Sequence, residues 1–276
     1  MPRRLDLSGS WAKLDRAKEH VDRLRREIEE AGAPDPNLIP LRRNFNAEKR
    51  AVIYRIDRVI EVREDWPLIL GDAIQNFRAA LDYLMYQFAI VYLGRVPTVA
   101  EAKNIQFPEI RKLKQIPGHR FLQYIRPVDL DQMKLFQPYR RRHRRKKLEF
   151  HPLPWLIRMS NIDKHRRLHV IVVAPYQASF TNRPDGYRDC VPLIRTDPAT
   201  GRRHGVTFHK APSRPLRANT EILRVFVRPT GPNPDVEVDA RLTGWITVGK
   251  TGPIIPLLDG FGEYVAAVLN RFQPRR

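Results

Sequence analysis

No proline interrupts the chain between Leu68 and Val96, although 24 are spread over its 276 residues. Inside that span the segment GDAIQNFRAALDYLMYQFAIVY, Gly71 to Tyr92, repeats apolar residues at helical spacing. At about 100° per residue, Ala73, Ile74, Phe77, Leu81, Leu84, Met85 and Phe88 fall on one side, which is core. Gln75, Asn76, Arg78, Asp82, Tyr83, Tyr86 and Gln87 fall on the other. Gly71, Gln75, Arg78 and Asp82 stack turn over turn along one line, and Gly94 followed by Pro97 is a helix stop. Arg78 and Asp82 are within reach of an i,i+4 ion pair, worth only about 0.3–0.5 kcal/mol on an exposed surface. Their setting beside Gly71, Ala79 and two tyrosines predicts a strip that faces another element or a groove. A pair in that position needs further polar partners from elsewhere in the chain.

Other elements follow from the same periodicities. Ser10 to Ala31 places Trp11, Leu14, Ala17, Val21, Leu24 and Ile28 at spacings of three and four, an amphipathic helix with Ser10 as N-cap and Gly32 as stop. That spacing allows a helix–helix pairing within the fold or in a homodimer. Residues 51–63 read as one extended strand or two short ones. The stretches after Pro97 and from Asp129 carry short helical patterns, with Asp129 or Asp131 as cap of the second, and Leu153 to Ile162 has the spacing of a short helix that ends near Lys164 to Arg167. From Leu168 onward, short β-rich runs alternate with Pro/Gly/Asn/Asp turns, and Leu257 to Phe272 reads as a closing helix. The fold class expected is α+β: a mainly helical part over 1–167 with one early strand region, then an antiparallel β-rich part with a C-terminal helix over 168–276, with one core shared by both parts as the alternative.

Charge narrows the partners. Lys and Arg number 50 against 30 Asp and Glu, a formal net charge of +20 with 38 Arg and 12 Lys. Such an excess attracts polyanions at long range, so nucleic acid is the first partner to consider. Arg140 to Lys147, RRRHRRKK, is too like-charged to pack and reads as an exposed arm whose Arg140, Arg141, Arg142, Arg144, Arg145, Lys146 and Lys147 contact phosphates. Without it the chain still carries +13, so the basicity is distributed. The single Cys190 excludes internal disulfides and fits a reducing cytoplasm. The start MPRRLDLSGSW lacks the apolar core of a signal peptide, and no membrane span is expected.

Asn161-Ile162-Asp163-Lys164-His165-Arg166 gathers an amide, a carboxylate, an amine, an imidazole and a guanidinium at a helix-to-strand junction. His165 is suited to proton transfer near neutral pH, Asp163 to orienting it, and Lys164 or Arg166 to holding a phosphate. The plainer reading is a local Asp163/Arg166 pair with His165 packed against a sheet edge. His165 and His169 stand four apart, but Arg166 occupies the place where a zinc-protease motif requires Glu, so no metal and no cofactor are expected. Cys190 reads as an inert core residue.

The pair LGDAIQNFRAALDYL and NIDKHRRLH, with the Gln137-Pro138-Tyr139 turn between them, resembles a group of bacterial and phage-associated proteins of no established activity. Their motif is a GDA-x-x-N-x-R-x-A-L-D helix followed by an N-x-D-K-H-R stretch. The likeness covers about residues 66–170 and implies a shared fold and site. Arg78 and the helical gap after it also resemble the R-x(4–6)-H motif of HEPN ribonucleases, helical proteins that cleave RNA without metal through an Arg and a His on the scissile phosphate. Arg78 matches the Arg, but Tyr83 stands where the His belongs, so an imidazole would have to come from His165.

The expectation is therefore a cytoplasmic nucleic-acid-binding protein, RNA favoured, with a metal-independent ribonuclease site of Arg78, Asp82, Tyr83, Asp163 and His165. Arg78 and Lys164 would stabilise phosphate charge while Asp82 and Asp163 position the groups. The alternative is a non-enzymatic protein whose polar strip is a structural network and whose basic surface meets an acidic protein partner.

Overall fold

The computed structural model describes residues 4–32, 40–59, 61–141, 151–165, 170–193, 195–196, 203–204, 206–208, 217–248 and 253–273. The fold is α+β, and two compact units interleave along the chain. One is formed by residues 1–26, 64–169 and 254–276, the other by 27–63 and 170–253. A linear boundary near residue 167 therefore does not describe the chain: the early strands join the β-rich unit and the closing helix joins the helical one.

The helical unit is built on α2, Trp66–Leu93, which begins with Pro67 in its first turn and ends at Gly94 in the left-handed region at φ 70°. Pro67 suits the first turn because the missing N–H has no partner there anyway, and glycine suits the stop because a Cβ would be strained. Ala73, Ile74, Phe77, Leu81, Leu84, Met85 and Phe88 are all buried. Three neighbours lie against α2, each fixed by named contacts.

Helix α1, Ser8–Gly32, runs antiparallel to α2. The Asp6 N–H donates to Gln87, Tyr83 lies against Gly9, Lys13 donates to Asn76, and Arg23 pairs with Asp65. Of its stripe, Leu14, Ala17, Val21, Leu24 and Ile28 are buried within the single chain and Trp11 is half-buried. Ser10 lies inside the helix, not at its cap; the Asp6 carboxylate takes the Ser8 N–H at 3.0 Å. Helix α6, Ile254–Phe272, packs on α2 through edge-to-face ring pairs, Phe77 with Phe261 at 6.3 Å and Phe88 with Phe272 at 4.9 Å. Helix α5, Pro152–His165, lies on the polar line of α2.

Between α2 and α5 the chain is mostly turn and loop, with α3 at Val99–Ala102, α4 at Pro127–Lys134 and short 3-10 turns. The helical pattern after Pro97 shrinks to one turn capped by Thr98 and Glu101. Pro127 opens α4 after Arg126, so Asp129 sits in the first turn paired with Arg126 at 2.6 Å instead of capping it.

The β-rich unit has an antiparallel sheet in the order β1-β2-β8-β4, with β7 also on β8. Its strands are β1 Leu41–Asn46, β2 Ala51–Ile56, β4 Cys190–Pro192, β7 Val206–Phe208 and β8 Glu221–Pro229. A long ribbon pairs β3, Val170–Arg188, with β9, Asp235–Val248, and a short one pairs β5, Arg195–Thr196, with β6, Arg203–His204. The core of this unit is Val52, Tyr54, Cys190, Leu223, Val225, Val227 and Val236. The Tyr54 hydroxyl donates to the Val236 carbonyl, and Arg43 pins Asp235 at 2.9 Å, holding that carboxyl below its ordinary value. Cys190 is buried, with its thiol pushed up by burial. Among the described residues no helix is long and apolar enough to cross a membrane.

Candidate functional site

The polar line of α2 serves two neighbours in succession. Its first half locks α5. Gln75 Nε2 donates to the Ser160 carbonyl at 3.0 Å and to Asp163 Oδ2 at 2.9 Å, and Ser160 Oγ donates back to Gln75 Oε1 at 3.1 Å. Gly71 lies directly under Asp163: a Cβ there would stand 2.9 Å from the carboxylate carbon, closer than real Cβ atoms approach. A glycine at this turn is what lets the carboxylate lie flat against α2. Asp163 thus helps lock two helices together; the imidazole it was expected to orient, that of His165, lies outside the described residues.

The second half clamps a loop. Arg78 pairs with Asp82, Nη2 to Oδ1 at 3.1 Å and Nε to Oδ2 at 3.2 Å. Arg78 Nη2 also donates to the Phe107 carbonyl at 2.9 Å, and Asp82 Oδ1 accepts the Phe107 N–H at 2.8 Å. One ion pair therefore satisfies both backbone polar groups of one residue, and the Phe107 ring is fully buried. Three residues further on, Gln137 Oε1 accepts the Ile110 N–H at 2.8 Å, and the Tyr139 N–H donates to the Ile110 carbonyl at 3.3 Å. The Gln-Pro-Tyr turn is thus the second anchor of the same segment. Burial pushes the Asp82 carboxyl above its ordinary value, while Arg78 and the Phe107 N–H act against that push.

Clamping the loop leaves a cavity of about 350 Å³ lined by Arg78, Gln106, Phe107, Glu109, His119, Arg120, Phe121, Ile157, Asn161 and Lys164. Arg78 is 8% exposed, and its Nη1 has no acceptor among the described protein atoms. A buried N–H without an acceptor costs on the order of 1–3 kcal/mol, more when the group is charged. Arg120 and Lys164 are exposed and enter no ion pair among the described residues, whereas Glu109 is paired with Arg111. The Arg120 guanidinium stacks on Phe121 at 4.5 Å. His119 Nδ1 accepts the Phe121 N–H at 3.3 Å, which commits the lone pair and leaves the proton of the neutral ring on Nε2. Burial, and then Arg120, hold His119 below the ordinary histidine value. At neutral pH it is a donor.

Of the residues expected to carry chemistry, Arg78 and Lys164 line this cavity together, with Asp82 directly behind Arg78. Asp163 is on the adjoining turn of α5, tied to Gln75. Tyr83 is elsewhere: it points to α1, where Lys13 lies over its ring at 5.9 Å. It is one residue past Asp82, about 100° round the helix, and so faces a different neighbour. His165 closes α5, but its side chain lies outside the described residues, as do Arg166 and Arg142 to Lys147. Arg140 is exposed and Arg141 closes a 3-10 turn. The residues missed by the sequence reading are His119, Arg120 and Phe121. Their signal was weak, one imidazole and one cation beside an aromatic after the Pro117-Gly118 turn.

Comparison of the chain with protein-family models, with curated proteins and with solved structures finds no match to any of them.

Two outcomes test this geometry. Gly71→Ala destabilises the helical unit by about 1–3 kcal/mol, the usual range for overpacking. In the Asp163→Ala background most of that loss disappears, because the obstructing carboxylate is gone. Urea denaturation of the four proteins of the cycle measures it, and additive losses would mean that the two residues do not touch. By NMR titration, His119 protonates below about 6.5, and Arg120→Ala moves it upward. Because its folded value is depressed, this histidine makes stability fall as pH drops through about 6.5 toward the folded value. A His119 that titrates at or above 6.5 contradicts the assignment of its lone pair.

Proposed function

We propose that the protein is a cytoplasmic RNA-binding protein that seats a phosphate of the strand in the cavity between α2, α5 and the 106–121 segment. The observation that carries this reading is the buried Arg78 guanidinium with an uncommitted Nη1, held by Asp82 in the wall of that cavity. An anion is the ligand that such a group favours, since a charged acceptor strengthens each hydrogen bond and offsets the cost of the orphaned N–H. Lys164 and Arg120 add unpaired charge at the same wall, and His119 and Asn161 add neutral donors. The net charge of +20 brings polyanions to this surface at long range. The likeness of the Arg78 segment to a ribonuclease motif favours RNA over DNA.

Binding fits better than cleavage. Cleavage of RNA without metal needs a base to take the 2′-hydroxyl proton. Among the described residues of this region, both Asp82 oxygens face Arg78 or the Phe107 N–H, Asp163 accepts from Gln75, and His119 Nδ1 accepts from Phe121. Glu109 accepts from Arg111, so among the described residues each carboxylate or imidazole of this region is already accepting a hydrogen bond.

The reading is tested with single-stranded RNA, by measuring affinity against salt. The log–log slope falls by about 0.7 for each phosphate contact removed, so Lys164→Gln with Arg120→Gln lowers it by about 1.4. Both positions are exposed, and the fold tolerates the changes. In the presence of a chelator the RNA stays intact. No binding to RNA or DNA at low salt would sink the proposal in favour of an acidic protein partner. Cleavage that is lost in His119→Ala would replace binding with catalysis.

A further inference from the structure

The donors and charges around the cavity say more than that it takes a phosphate. Resting on the RNA-binding reading above, we infer that the site holds a terminal phosphomonoester of the strand, not an internal phosphodiester.

Charge is the first ground. Arg78, Arg120 and Lys164 line the cavity with one carboxylate, Glu109. Asp82 behind Arg78 and Arg111 beside Glu109 cancel each other in the count, so the wall carries two uncompensated positive charges with His119 neutral. An internal phosphodiester brings one negative charge, whereas a phosphomonoester brings nearly two at pH 7, since its second ionisation lies near 6.

Hydrogen-bonding capacity is the second ground. Nη1 of Arg78, Nε2 of His119, the Lys164 ammonium and the Asn161 amide are donors in or at one wall, and among the described residues none of them donates to a protein acceptor. A monoester offers three terminal oxygens to such a set and a diester only two. The Glu109 carboxylate, the acceptor that would repel an anion, is turned to Arg111.

Access is the third. A volume of about 350 Å³ is near the small end of ligand pockets, which run from about 300 to 1,000 Å³. An end of a strand enters such a space with one chain leaving it. An internal phosphate must bring two flanking nucleotides past the same rim, and Arg78, at 8% exposure, is not within reach of a phosphate that stays outside. Arg120, which is exposed, and Phe121 both line the cavity, and their stack offers a flat surface of the kind on which bases stack.

The experiment uses the full-length protein and one single-stranded RNA sequence in four forms, at pH 7.5 where a monoester is a dianion. These are hydroxyl-ended, 5′-phosphorylated, 3′-phosphorylated, and a free nucleoside monophosphate of the terminal base. One phosphorylated form binds on the order of tenfold more tightly than the hydroxyl-ended strand, the effect of about one charged hydrogen bond. That gap closes to within about twofold in Arg78→Lys, which keeps the charge and loses the fork. Should Arg78→Lys fail to fold, the exposed Lys164→Gln serves the same purpose and narrows the gap. Equal binding of phosphorylated and hydroxyl-ended strands overturns the inference and leaves the RNA-binding reading standing. A free mononucleotide that binds as tightly as the phosphorylated strand also overturns it, and assigns the cavity to a small nucleotide. Failure of every form to bind removes both.

Discussion

The ion pair between Arg78 and Asp82 is the interaction on which the rest of the helical unit's polar face depends. Taking two charges out of water is expensive, and a buried pair rarely stabilises a fold on Coulomb attraction alone. Here it does a further job. Each partner holds one backbone polar group of Phe107, so the pair acts as a two-point clamp between α2 and a segment with little regular structure of its own. That segment then carries His119, Arg120 and Phe121 to the cavity wall, within the same unit as Lys164 and Asn161 of α5. Removing either charge would free the loop and leave the other charge uncompensated.

One helix surface thus meets three environments in turn. Gly71 and Gln75 meet α5, Arg78 and Asp82 meet the Phe107 loop, and Tyr83 meets α1. A helix advances about 100° per residue, so Asp82 and Tyr83 cannot serve the same neighbour even though they are adjacent in sequence. The Gly71 to Asp163 approach and the Arg78 clamp are therefore separate devices. The first fixes how close α5 comes to α2, and the second fixes what lies beside them.

Much of this was legible in the residues because period and punctuation are local. The core side of α2, its stop at Gly94, the apolar stripe of α1, the antiparallel β region and the closing helix all follow from spacing and from turn residues. So does the meeting of the Asn161 stretch with the α2 polar line, since buried polar groups need partners. What was not legible is long-range. Strand β1 is mostly polar, LRRNFN, and gains its place from pairing with β2. Strand β2 in turn pairs with β8, some 170 residues away, a partnership no local pattern encodes. The bond from Gln75 to Asp163 is long-range too, because sequence shows which groups are near in the chain and not which carboxylate accepts from a distant amide. His119 gives no local signal because it stands in an ordinary loop, and the fold brings it to the same cavity as Arg78.

Net charge alone would have pointed to the Arg140–Lys147 run as the place where a polyanion is held. The ion pairs argue for a different division of labour. Arg16, Arg25, Arg43, Arg95, Arg126 and Arg224 each pair with a nearby carboxylate, so much of the positive charge is neutralised locally and contributes little at short range. An excess of cations draws a polyanion from a distance without regard to geometry, and salt screens it within about 10 Å at 0.1 M. Groups that choose where a phosphate comes to rest must keep a donor uncommitted, be partly withdrawn from water and be fixed in direction. Arg78 meets all three conditions because Asp82 takes two of its nitrogens and leaves the third. The carboxylate that neutralises the guanidinium is also what aims it. For that reason the same pair serves both the stability of the loop and the selectivity of the cavity, and a substitution at Asp82 cannot alter one without altering the other.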